Sequence, residues 1–306
     1  MKPLYRTRNG VLYLGDAYDI LDAGWLKKLR HQFTLIFTSP PFPLNKKKAY
    51  GNLKGQEYID WLSGFAHIFN ELLTRDGSLV IELGNAWVPR SPTMSLLPLE
   101  SLIELKKKGN FHLCQEFIYN NTTRLPSPAQ WVNVERIRVK DAFTRLWWLS
   151  PSEKPKANNE RVLNEYSPSM KQLLKNKKYN PGKRPSEHRI GKKSFLKNNK
   201  GSIPSNVISI PNTVSSGPYL KYCRENQIKY HPARMPLKLA EFFIKFLTEP
   251  DDLVLDPFAG SNVTGYVAEE LGRRWRSIEK EEIYALSSKS RFSNAWFVKP
   301  YKNEGL

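Results

Sequence analysis

The sequence is poor in cysteine: 306 residues hold only Cys114 and Cys223. Two thiols so far apart form neither a disulfide framework nor a metal-ligand cluster, and they suit a reducing compartment. Long apolar runs are also missing. No stretch approaches the length that crosses a bilayer, and the N-terminus, MKPLYRTRNG, has no apolar signal core, so no membrane association is expected. There are no internal repeats. Acid is scarce relative to base, with 29 Asp and Glu against 48 Lys and Arg, a net charge of +19. Such an imbalance points to a polyanionic partner, with nucleic acid the first candidate. The 40% hydrophobic content is that of an ordinary globular chain, long enough for one large or two modest domains.

Apolar periodicity divides the chain. Val11–Leu14, Phe33–Phe37, Ser78–Ile81, residues 111–120 and Phe143–Leu149 read as strands. Helical spacing appears between them: Ile20, Leu21, Trp25, Leu26 and Leu29; then residues 58–73, with Ile59, Leu62, Phe65, Phe69 and Leu72; then 96–108. Further on, helices over Leu237–Leu247, Asn262–Leu271 and Glu282–Phe292 alternate with strands Leu253–Asp256 and Trp275–Ile278. This alternation predicts an α/β fold with a mostly parallel, doubly wound sheet. The segment 151–201 is different. It carries fourteen Lys and Arg against four Glu and no Asp, about half of the chain's excess positive charge. A solvated basic linker would look similar, but Tyr166, Tyr179 and Phe195 are interleaved with the cations, as in a nucleic-acid-binding insertion. The expected organisation is therefore 1–150, a basic region at 151–230, and 231–306.

Two short stretches carry chemistry. In the first, the apolar run to Phe37 breaks on Ser39-Pro40-Pro41-Phe42, and a basic stretch follows. A turn needs only one proline; a polar atom, a rigid kink and an aromatic ring together suit a grip on a ligand. The second, LVLDPFAGSNVTGYVAEELGRRWRSIE at 253–279, is a strand, a glycine turn, a helix and a strand ending in an acid. Gly260 permits close backbone approach, the helix N-terminus offers N–H groups, and Glu279 lies twenty-three residues beyond Asp256, a spacing suited to a ribose. Asn262 stands where a dinucleotide fingerprint has its second glycine, so adenosine-type binding is favoured over NAD; asparagine tolerates the left-handed backbone better than most residues. Such a turn alone could also be a plain strand–helix connection.

Together these motifs resemble the amino-group DNA methyltransferases that use S-adenosylmethionine. Their signatures are [DSN]-P-P-[YFW] and D-P-F-x-G-S with a downstream acid. The order here, Pro-Pro motif, basic insertion, cofactor motif, resembles the β group, a circularly permuted form of the Rossmann-like methyltransferase sheet. The likeness extends to PvuII-type cytosine-N4-specific modification enzymes: TSPPF with KKxYGN behind it, LPSPxxWVNxxRIRVKDA at 125–142, WWLS at 147–150, GSIPxN at 201–206, HPARxPxKL at 231–239 and LTEPDDLVLD at 247–256.

The resemblance implies a mixed α/β sheet with an inserted DNA target-recognition region, S-adenosylmethionine as cofactor, no metal, double-stranded DNA as substrate and a restriction endonuclease as functional partner in a prokaryotic cytoplasm. It implies cofactor contacts from Asp16, Arg234, Asp256, Pro257, Phe258, Gly260, Ser261 and Glu279; His231 could equally be structural. Ser39 and the Pro40 carbonyl would accept from the target amino group, with Pro41 fixing the carbonyl's direction and Phe42 stacking on the extruded base. Loss of the proton to water is expected, because an unactivated serine is a weak base. Pro43 would stiffen the loop. Serine in the first motif position favours cytosine N4 over adenine N6, which remains the alternative. Ring-carbon methylation requires a Pro-Cys nucleophile, which neither cysteine provides. Lys183, Arg184, His188, Arg189, Lys192 and Lys193 are the expected DNA contacts. A non-catalytic DNA-binding protein on the same fold, and an RNA or small-molecule methyltransferase, stay open on sequence grounds.

Overall fold

The computed structural model describes residues 3–22, 26–42, 53–213 and 216–298. One mixed sheet of ten strands organises the larger of two compact units, residues 1–157 with 206–306. In chain order its strands are β1 (Pro3–Arg6), β2 (Gly10–Leu14), β3 (Phe33–Thr38), β4 (Leu73–Gly84), β5 (His112–Asn120), β6 (Phe143–Ser150), β7 (Val207–Ser209), β8 (Leu253–Asp256), β9 (Arg274–Glu279) and β10 (Trp296–Phe297). Across the sheet they run β7-β5-β6-β4-β3-β8-β9-β2-β1-β10. The central five, β4 to β2, are mutually parallel; β6 and β1 run against their neighbours.

The central strands are buried on both faces, which is why they read as continuous apolar runs. On β4, Leu79, Ile81 and Leu83 face one core while Val80 faces the other; Leu253 and Leu255 alternate with Val254 in the same way on β8. A register shift between Phe33 and Leu35 re-phases β3, so Phe33 and Ile36 share one core and Leu35 and Phe37 the other. Helices Gly55–Gly64, Ala66–Leu72 and Leu97–Lys108 cover the first face; Leu237–Leu247, Val263–Glu270 and Glu282–Ser288 cover the second.

Three helices depart from the expected lengths, the last ending at Ser288, with a 3-10 turn over Lys289–Arg291, short of Phe292. The pattern over 58–73 is one apolar stripe but two helices, broken at Phe65, whose N–H donates to the Leu62 carbonyl at 3.2 Å before the second begins. The stripe over 20–29 holds helical turns at Ala17–Ile20 and Leu26–Leu29, and Trp25 lies outside the described residues.

The second compact unit spans Asn158–Ser205, narrower than the segment 151–230. Residues 206–230 belong to the sheet unit for a physical reason: Val207–Ser209 pairs in parallel with Ile118–Asn120, and helix Pro218–Glu225 packs on Lys289–Arg291. The smaller unit contains helix Pro168–Asn176, capped by Ser167, and a two-stranded ribbon of Gly182–Lys183 and Arg189–Ile190. Among the described residues, no helix is long and apolar enough to cross a membrane.

Asn262 adopts φ 54° and ψ 47°, and its buried side chain stitches the turn to the sheet. Its Oδ1 accepts from Gly265 N–H at 3.2 Å and Ser277 Oγ at 2.7 Å, and its Nδ2 donates to Tyr5 Oη at 2.9 Å. Asn262→Ala should therefore cost about 2–4 kcal/mol in urea unfolding, combining a lost cap with stranded buried partners. Asn262→Gly should cost about 1 kcal/mol less, because glycine keeps the left-handed backbone.

Candidate active site

The chain leaves β3 toward β4 on one side and leaves β8 toward β9 on the other, so a crevice opens where these adjacent strands diverge. Ligands of open α/β sheets sit at such a point, beyond the carboxyl ends of the strands. Both sequence motifs end there. Thr38, the last residue of β3, donates from Oγ1 to Asp256 Oδ1 at 2.7 Å, although 218 positions separate them. Thr264 Oγ1 donates to the other oxygen at 2.7 Å, and Phe258 N–H donates to Oδ1 at 3.1 Å. Burial pushes the Asp256 carboxyl up to about 6 despite these three donors. Asp256 borders the cavity, but its oxygens are spent on the scaffold.

Beyond β8, Gly260 has φ +52°, and a Cβ there would lie 3.1 Å from the His231 ring. The Gly260 N–H donates to Glu279 Oε2 at 2.6 Å, and Glu281 N–H to Oε1 at 2.8 Å. Burial dominates at Glu279 as well and pushes its carboxyl up to about 7. Arg291 donates to the Ser261 carbonyl and, at 2.9 Å, to its Oγ. Phe258 sits against Trp61 and Phe65, with ring centroids 5.5 and 5.4 Å away. Asp16 caps the first helical turn through Tyr18 N–H at 2.9 Å and pairs with Lys280 at 3.1 Å. The Arg234 guanidinium lies over Tyr230, 4.8 Å from the ring centroid. His231 Nδ1 bonds the Ala233 carbonyl at 2.9 Å, a local structural contact.

Beyond β3, Pro40 is buried and Ser39 half-buried. Parallel pairing of Thr38 with Ile81 sets Ser39 beside Glu82. The Ser39 hydroxyl hydrogen-bonds the Glu82 carboxyl, and Thr144 Oγ1 donates to Glu82 Oε1 at 2.8 Å. Burial raises the Glu82 pKa, opposed by those two hydroxyls and by the charge of Arg124. Phe42 packs closely against Gly84, where a Cβ would come within 2.5 Å of the ring.

A single cavity of about 650 Å³ joins these groups. It brings together all twelve residues singled out as catalytic or cofactor contacts: Ser39, Pro40, Pro41, Phe42, Asp16, Arg234, Asp256, Pro257, Phe258, Gly260, Ser261 and Glu279. Pro43 and the KKxYGN stretch lie outside the described residues. The six residues expected on DNA all belong to the smaller unit. There Lys183 pairs with Glu187 at 2.5 Å and Arg184 donates to the Asn180 carbonyl at 2.6 Å, while His188, Arg189, Lys192 and Lys193 are exposed. The interleaved aromatics mostly hold that unit together: Tyr179 and Phe195 meet edge-on at 5.5 Å, and Tyr166 Oη accepts from Asn199 N–H.

Glu82, Tyr58, Tyr119 and Thr144 also line the cavity and escaped sequence inspection. Glu82 had a visible signal, an acid inside the buried run SLVIELG. The cavity suits S-adenosylmethionine in size and in donors. The buried Tyr58 and Tyr119 hydroxyls have no partner among the described residues, and the glycine turn lines the cavity together with Glu279. Among the described residues, no group of three His, Cys, Asp or Glu converges as a metal site would.

The profile of the DNA methylase family matches residues 33–290. The type II methyltransferase M.PvuII of Proteus hauseri is 46% identical over 293 residues, covering 95% of this chain and 86% of that protein. The solved structure titled PvuII DNA methyltransferase (cytosine-N4-specific) superposes with TM-score 0.76 at 40% identity, covering 95% of this chain and 89% of the other. A putative DNA modification methylase from Thermus thermophilus, complexed with S-adenosyl-L-methionine, shares the fold at TM-score 0.55 and 21% identity, covering 92% and 91%.

Two raised carboxyls give the stability of the protein, measured without added cofactor, a definite pH slope. A folded pKa above the unfolded one stabilises fully below the unfolded value and is lost as pH rises through the folded value. Asp256 rises from 3.8 to about 6 and Glu279 from 4.5 to about 7, so their contributions vanish between pH 4 and 7. Glu279→Gln should flatten this decline in urea unfolding at pH 5 and pH 7.5. An unchanged slope would contradict the burial of a titrating Glu279.

Proposed function

The chain belongs to the DNA methylase family, and from that premise we propose a site-specific DNA methyltransferase that modifies the exocyclic N4 of cytosine in duplex DNA. S-adenosylmethionine supplies an electrophilic methyl group when bound. The carrying observation is the junction of an amino-gripping turn and an adenosine-type turn around one cavity, bridged by Thr38 and Asp256.

Cytosine N4 is a poor nucleophile because its lone pair is delocalised into the ring. Hydrogen bonds accepted from the amino group draw that pair back onto nitrogen, and positioning supplies much of the rate. Ser39 Oγ and the Pro40 carbonyl are the two acceptors, and Phe42 stacks on the base once it leaves the helix. Ser39 donates its own hydrogen to Glu82, which leaves its oxygen lone pairs to face the amino group. Once the methyl group had passed to N4, with its bond to the sulfonium broken and a neutral thioether left behind, an N4 proton would pass to Ser39 Oγ as the Ser39 hydrogen moves to Glu82. A carboxylate whose proton affinity is raised by burial is a better acceptor than the water expected from sequence alone.

On the cofactor side, Glu279 accepts from the ribose hydroxyls, and Gly260 permits the close approach. Asp16, Arg234, Pro257, Phe258 and Ser261 line the same pocket. In the smaller unit, exposed Arg189, Lys192 and Lys193, with His188, meet phosphates and base edges; Lys183 and Arg184 shape the ribbon that presents them. Base extrusion, a companion endonuclease and a prokaryotic cytoplasmic setting complete the proposal, the last two by family analogy.

The test is transfer of tritiated methyl from S-adenosylmethionine to mixed-sequence duplex DNA, then digestion and nucleoside mass analysis. N4-methylcytosine is the expected product; N6-methyladenine would overturn the base assignment. Ser39→Ala and Glu82→Gln should each lower kcat by roughly 10²–10⁴ with cofactor affinity retained. Wild-type turnover in Glu82→Gln would remove Glu82 from the proton path.

A further inference from the structure

Strands β5 and β6 pair antiparallel to their ends, Asn120 opposite Phe143. Two to five residues would join them. The chain instead uses Asn121 to Ala142, twenty-two residues, none of which is fully buried. This loop adds nothing to the core, yet it is held in shape by its own bonds. Asp141 N–H donates to the Ser127 carbonyl at 3.1 Å, Lys140 Nζ to the Arg124 carbonyl at 3.3 Å, and Ile137 N–H to the Trp131 carbonyl at 3.0 Å. These bonds lay the two limbs side by side. Leu125 stands on one limb, 80% exposed, and Val139 on the other, 86% exposed.

Two aliphatic side chains held in water by an ordered loop cost free energy that some partner recovers by covering them. Position and charge identify that partner. Arg124 lines the cavity one residue before Leu125, and Ala142 lines it three residues after Val139. The loop therefore stands at the cavity mouth, where the target base would enter. Its cations, Arg124, Arg136, Arg138 and Lys140, outnumber Glu135 and Asp141.

We propose that Leu125 and Val139 form an apolar wedge that enters the base stack of duplex DNA at the target pair and fills the space vacated by the extruded cytosine. Arg136 and Lys140 hold the flanking phosphates. Proteins that unstack duplexes insert aliphatic side chains in this way, and the burial gained offsets the stacking lost. The proposal rests on the methyltransferase function above.

The test compares the unmodified protein with Leu125→Ala/Val139→Ala in single-turnover methyl transfer. The substrates are a duplex methylated by the unmodified protein and the same duplex with an abasic site opposite the target cytosine. Both positions are exposed, so equal thermal midpoints are expected. The double variant should be slower by about tenfold or more on the intact duplex and within about twofold on the abasic one, where the pair is already broken. Leu125→Met/Val139→Ile should match the unmodified protein on both. Equal losses on the two duplexes, or no loss on either, would overturn the wedge. If the equal loss came with dissociation of a dimer in sedimentation, the patch would be a self-association surface instead. If the unmodified protein methylated no duplex from which such a substrate could be chosen, the methyltransferase assignment would fail and take the wedge with it.

Discussion

A hydrogen bond of 2.7 Å from Thr38 to the buried carboxyl of Asp256 fixes the relation between the two halves of this site. Strand pairing alone sets β3 beside β8 only to within the play of a ladder. The Asp256 carboxyl also takes the Thr264 hydroxyl and the Phe258 amide, so it ties the end of β3, the turn after β8 and the first turn of the following helix to one point. In-line transfer between two bound groups depends on that spacing, because small misplacements cost large factors in rate. Asp256 thus lines the cavity and also braces the two turns that border it.

Permutation makes such a bracket necessary. The Ser39–Phe42 turn follows β3 early in the chain, and the Pro257–Ser261 turn follows β8 late in it, yet the sheet places these strands side by side. Electrostatics then divides the labour among the acids. Glu82 lies beyond β3 with the hydroxyls of Ser39 and Thr144, and Glu279 beside the glycine turn with two backbone amides. Burial raises the proton affinity of each carboxyl, while the polar partners keep that rise in check. Their partners differ in chemistry: hydroxyls can relay a proton, whereas backbone amides can only donate to a carboxylate.

The sequence disclosed those features whose physical signal is local. Doubly buried strands showed as continuous apolar runs, the left-handed backbone at Asn262 followed from its place in the glycine turn, and both motifs lay in contiguous letters. What stayed hidden was non-local. Glu82 reaches Ser39 across a strand pair, forty-three positions away, and no spacing rule connects them. The boundary of the smaller unit was hidden because Val207–Ser209 joins the sheet edge by pairing with β5, and nothing in its own composition marks that. The aromatics of the basic segment were visible, but their packing on each other was not.

The most direct measurement is a crystal structure of the protein with a methyl-donor analogue and a duplex carrying its target sequence. The cytosine should lie outside the helix, with N4 about 2.7–3.2 Å from both Ser39 Oγ and the Pro40 carbonyl oxygen. The Ser39 hydroxyl should remain on Glu82. A target base still paired in the duplex, or an amino group held by Glu279 instead of Ser39 and Pro40, would contradict this geometry.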